Sequence, residues 1–150
     1  MLAILLRVGF VIVSAIREEA RRKSSVRKVE DSRFGTLTGE LDVWSGAISE
    51  GGKEIQFYIG GSEEAPDERL LDALSHVLEQ LGIFQEKALQ FLLKENPSST
   101  PLHFEFASVD LLYPDDPDQF SLNYELEGDE EGIWRVEFEK GEPVFSGRDD

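Results

Sequence analysis

Three different rhythms of hydrophobic residues run along this chain. From Leu2 to Ile16 nearly every position is apolar, interrupted by Arg7, Gly9 and Ser14, and a basic stretch from Arg17 to Lys28 follows. From Phe34 the pattern turns to alternation. Leu37, Leu41 and Val43 alternate with Thr36, Thr38, Glu40 and Asp42, which predicts a half-buried strand. Trp44 to Ile48 continues as a second short strand or a bend, with Gly46 admitting a close backbone approach. Gly51-Gly52 predicts a tight turn, and Ile55, Phe57 and Ile59 mark the next strand of an antiparallel meander.

The third rhythm is helical. Pro66 opens a helix with Asp67 and Glu68 in its first turn, where the helix dipole favours anions. Leu70, Leu71, Leu74, Val77, Leu78 and Leu81 fall on one face, and Gly82 suits the position just past its end. A second helix is predicted from about Phe84 to Lys94, stopped by Asn96-Pro97. Alternation then resumes at Phe104 and Phe106, at Phe120, Leu122, Tyr124 and Leu126, and at Trp134, Val136 and Phe138, with a short Val144-Phe145 piece at the end. Strands, two helices, then strands predict an α+β fold. Its form is a two-layer antiparallel sheet with helices on one face, plus an extra N-terminal hydrophobic helix.

The N-terminal segment keeps three readings open. On a helical wheel Arg7, Ser14, Glu18 and Arg21 form one stripe, which suits a helix packed on protein, including a second copy, or lying in a membrane interface through residues 2–16. Fifteen helical residues span roughly 22 Å, short of a hydrocarbon core of about 30 Å. A secretory signal is the third reading, with Val13-Ser14-Ala15 as its small-residue site. The expected organisation is therefore a helix over 1–23, a polar linker over 24–32 and an acidic domain over 33–150.

Charge sharpens this division. The chain carries a net charge of −16, but residues 1–30 hold seven basic residues against three acidic ones, leaving eight basic and 28 acidic residues to the rest. A body so acidic repels nucleic acid and attracts a basic protein partner at low salt. The basic flank beside the apolar segment places an anchored body on the cytoplasmic side of the inner membrane face. There is no cysteine, which excludes a disulfide framework, a thiolate zinc site and a cysteine nucleophile, and fits a reducing cytoplasm.

Candidate chemistry is thin. His76 lies between the apolar positions of its helix, and His103 shares a strand face with Glu105, a pattern common to any solvent-facing strand. Asp115, Asp116 and Asp118 could chelate a hard cation but lack the calcium-loop spacing, and Glu130 and Glu131 sit in an equally acidic turn. No nucleophile elbow, phosphate loop or dinucleotide fingerprint is present, so no catalytic residue, metal or cofactor is assigned. The residues best suited to a partner surface are Trp44, as an aromatic anchor, with Asp115, Asp116, Asp118, Glu130 and Glu131 around it.

The segments Phe34-Gly35-Thr36-Leu37, Trp44 to Ile48, Ile55 to Ile59, the helical pair and Trp134 to Phe138 together resemble a loose group of short bacterial domains of unknown function, over roughly residues 33–140. Some similar small acidic proteins are immunity proteins that neutralise toxins. The expected function is a non-enzymatic interaction domain for a basic protein, with an immunity-type inhibitor as its special case. A membrane-tethered accessory domain is the alternative, and an enzyme using clustered carboxylates and a divalent metal comes third.

Overall fold

A computed structural model describes residues 26–150. Eight strands form one sheet in sequence order: β1 (Arg27–Asp31), β2 (Gly35–Glu40), β3 (Val43–Glu50), β4 (Lys53–Gly60), β5 (Phe104–Leu111), β6 (Gln119–Leu126), β7 (Asp129–Glu139) and β8 (Glu142–Asp149). Two helices, α1 (Glu68–Glu79) and α2 (Leu81–Glu95), fall between β4 and β5. Every neighbouring pair is antiparallel except β4 and β5, which run parallel with Phe57 opposite Val109 and Ile59 opposite Leu111.

This corrects the expected two-layer antiparallel α+β fold. The sheet is mixed, strand predominates over helix, and two four-stranded meanders are fused through one parallel pair. The connection is the reason. A tight hairpin reverses the chain, whereas residues 61–103, with two helices inside them, are long enough to carry it back to the starting end of β4, as a parallel neighbour requires. The predicted N-terminal helix, its membrane contact and its role in association lie outside the described residues. Among those described, no helix is long and apolar enough to cross a membrane.

Three local differences have physical causes. Arg27 to Asp31, expected as part of a polar linker, forms β1, because the outer edge of β2 offers a full ladder and Val29 packs on the core opposite Leu37. Leu41 does not continue a strand. It takes a left-handed φ of 57° in the β2–β3 turn and stands exposed, so the single predicted strand is a hairpin. Gly82 lies inside the first turn of α2, and the helix break comes two residues earlier, at Gln80.

Alternation decides which face is buried. Leu37, Trp44, Phe57, Ile59, Val109, Leu111, Leu122, Val136 and Phe138 point to one side and are inaccessible to solvent. α1 lies over β4 and β5 and buries Leu70, Leu71, Leu74 and Val77; α2 lies over β7 and β8 and buries Ala88 and Leu92. The Asp67 carboxylate caps α1 by accepting from the Arg69 and Leu70 amides at 2.9 and 3.3 Å. Two glycines make room for aromatic rings: a Cβ at Gly39 would meet the Trp44 ring at 2.7 Å, and one at Gly46 would meet the Phe57 ring at 2.5 Å.

Candidate functional site

The residues singled out as a partner surface do not come together. Trp44 is wholly buried, and its Nε1–H donates to the Ser62 carbonyl at 2.9 Å, tying the segment before α1 to the core. Asp115, Asp116 and Asp118 are exposed in the β5–β6 loop. Glu130 and Glu131 are exposed too, but in the first residues of β7 and not in a loop. β6 separates the two acidic groups, and eight residues at about 3.3 Å each put them about 25 Å apart.

A different set converges at the Glu130 end. Where the β3–β4 hairpin, the start of β5 and the α1–α2 junction meet, an open groove of about 760 Å³ has a floor of Ile55, Leu78, Leu81, Phe104 and Phe106. Its rim carries Glu50, Glu54, Glu79 and Glu105 against one cation, Lys53. A neighbouring depression of about 420 Å³ shares Phe104 and Glu105 and adds His103, Glu125, Glu127 and Glu130. The helix junction leaves the groove open because α1 ends at Glu79 and α2 begins at Leu81, so neither covers the first residues of β4 and β5.

The electrostatics of this end are unbalanced. Glu105 and Glu125 stand directly opposite each other across β5 and β6. Like charges in that position repel and destabilise the pair. Among the described residues neither makes an ion pair. Asp129, at the same end, is different. The Arg148 guanidinium donates to both of its oxygens at 2.7 and 2.8 Å, and the Trp134 Nε1–H donates at 2.9 Å. Those donors, Arg148 first, hold its carboxyl down to about 2. Asp129 therefore serves the fold, whereas Glu105 and Glu125 are left to the surroundings.

The sheet face turned away from the helices forms a second polar region. Register places Tyr58, Asp110, Ser121, Glu137 and Phe145 in one row across five strands. Gln56, Ser108, Asn123 and Arg135 form the next row. The Asn123 amide donates to the Ser108 hydroxyl at 2.9 Å. Burial pushes the Asp110 carboxyl above the usual carboxylate range, against the opposing influence of Asn123 and the Arg135 charge.

No family model, curated protein or solved structure matches this chain. The likeness to short bacterial domains therefore lends no residue a role, and the reading rests on geometry. Among the described residues no three His, Asp or Glu side chains converge as metal ligands. The groove's floor offers apolar burial and its rim a negative field. The out-facing positions of Glu105 and Glu125 were legible from alternation, but their juxtaposition depends on strand register, for which the sequence has no local signal.

Proposed function

We propose that this chain is a non-enzymatic interaction module whose acidic groove receives a basic protein. The observation that carries the reading is an apolar floor ringed by four glutamates and one lysine. Burying an apolar side chain of the partner on Leu78, Leu81 and Phe106 supplies affinity, at about 25 cal/mol per Å² removed from water. The glutamate rim supplies speed and selectivity, since complementary charge raises the association rate and rejects acidic competitors. A lysine or arginine placed between Glu105 and Glu125 relieves their repulsion, so that part of the cost of the free state is returned on binding.

An immunity-type inhibitor of a basic toxin is the most specific form of this reading. A cytoplasmic location goes with it, supported by the cysteine-free sequence, and the basic stretch Arg17 to Lys28 suits the anionic inner face of a membrane.

The experiment is a pull-down from native lysate with the full chain and two triple variants, followed by association kinetics on the captured protein. The expected prey is basic and is released at high salt. Glu54→Gln/Glu79→Gln/Glu105→Gln should slow its association at least tenfold, whereas Asp115→Asn/Asp116→Asn/Asp118→Asn should change it less than threefold. Salt-independent capture, or association unaffected by the groove variant, would refute the proposal.

A further inference from the structure

The sheet has two edges, β1 and β8, and neither meets a further strand among the described residues. An uncovered edge presents a row of N–H and C=O groups to any strand that can lie beside it, and proteins guard such edges with bulges, proline and charge. β8 is guarded in all three ways. Pro143 has no amide hydrogen, the ladder with β7 shifts between Glu137 and Phe138, and antiparallel pairing of two full β8 strands would set Glu142 against Asp149. The Lys87 Nζ of α2 also donates to the Gly141 carbonyl at 3.1 Å and to the Glu142 carboxylate at 2.7 Å, tying this edge to the helix layer.

β1 has neither proline nor bulge, and its charges follow a different order. It reads Arg27, Lys28, Val29, Glu30, Asp31: two cations, one apolar residue, two anions. Antiparallel pairing with a second copy about Val29 sets Arg27 opposite Asp31, Lys28 opposite Glu30, and Val29 opposite its own counterpart. The two-fold axis repeats each pair, so every charge in the strand meets its opposite. Parallel pairing in register would instead set like against like at all four charged positions. The faces agree as well. Val29 lies opposite Leu37 and packs on the core, so its meeting with a second Val29 prolongs the core across the edge, while Lys28 and Glu30 are exposed on the other face. Both carboxylates are held in place: Glu30 accepts from the Thr36 hydroxyl at 2.5 Å, and Asp31 from the Arg33 and Phe34 amides at 2.8 and 3.1 Å and from the Arg33 guanidinium at 3.4 Å. Each keeps lone pairs for a further donor. The net charge of −16 repels a second copy, but that repulsion is screened beyond about 8 Å at physiological salt, whereas cross-strand partners stand about 5 Å apart.

We propose that this chain forms a two-fold dimer by antiparallel pairing of β1 with β1 of a second copy, which joins two eight-stranded sheets into one. The paired segment is short, so the dimer is reversible and depends on concentration. The test is the mass of the full chain by sedimentation and light scattering, over a concentration series at physiological salt. The mass should rise from one copy to two. Lys28→Glu leaves only carboxylates at the facing positions and Glu30→Lys only ammonium groups, so each should weaken dimerisation by roughly tenfold or more. Lys28→Glu/Glu30→Lys exchanges the two charges and should restore the dimer to within about threefold of the natural chain. The two single variants, mixed, should pair with each other more tightly than either pairs with itself. Both side chains are exposed, and unchanged melting curves would show that the variants fold. A single-copy mass throughout the series, or dimerisation unaltered in both single variants, would overturn the proposal. So would failure of the exchanged or mixed pair to associate, or a mass that grows beyond two copies.

Discussion

The two faces of this sheet are built from the same strands by the same alternation, and they follow different rules. On β6, Phe120, Leu122 and Tyr124 enter the helix-covered core while Gln119, Ser121 and Asn123 form the opposite side. On the covered side burial is achieved with apolar rings and methyl groups, and the helices supply the other half of each contact. On the open side Ser121 and Asn123 are nearly as buried with no helix over them; the Asn123 amide donates to the Ser108 hydroxyl, and Asp110 Oδ1 has no partner among the described residues. Burial that an apolar core explains is structural. Burial of polar groups on an uncovered face costs free energy unless they pair with one another, as Asn123 does with Ser108 and Arg135 with Glu137 and Asp149.

The comparison breaks most visibly at Trp44. If it is core, Trp44→Ala removes a fully buried ring and its bond to Ser62, and should cost about 3–5 kcal/mol in chemical denaturation. A folded variant of unchanged stability would contradict its placement.

A smaller effect, of opposite sign, is expected at Tyr124. Its hydroxyl is buried in the core without a partner among the described residues, and burial raises its pKa. Tyr124→Phe removes an unpaired polar atom and should gain about 1 kcal/mol. A loss would mean that the hydroxyl is satisfied.

The mildest change belongs to the open face. Burial, the largest influence on Asp110, raises its folded pKa above the unfolded value of 3.8. Its contribution to stability is thus fully present below about pH 4 and is lost as pH rises through the folded value. Asp110→Asn should remove that slope, so the variant gains on the natural protein progressively above pH 4. Parallel stability curves for the two proteins between pH 4 and 7 would contradict the burial of this carboxyl.

Much of the covered face was legible in the sequence, and little of the open one. Ile55, Phe57 and Ile59, or Trp134, Val136 and Phe138, announce themselves because period-two hydrophobicity is a local signal. The parallel β4–β5 pair was not legible, because it depends on where a long connection returns the chain. Trp44 reads as an aromatic anchor in the sequence, but it is core: Gly39, its cross-strand partner, has no side chain and so admits the ring. The acidic residues that gather, Glu54, Glu79 and Glu105, come from β4, α1 and β5, and no spacing in the sequence joins them.

The central claim is that the acidic groove, and not the acidic surface at large, recognises a cationic partner. The most direct measurement is amide chemical-shift mapping of the full chain titrated with a short peptide of alternating lysine and leucine, at low and at physiological salt. Shifts should concentrate at Glu54, Leu78, Phe104, Glu105 and Phe106, weaken with salt as screening beyond about 8 Å sets in, and vanish in Glu54→Gln/Glu79→Gln/Glu105→Gln. Shifts centred on Asp115 to Asp118, or spread evenly over every acidic loop, would contradict it.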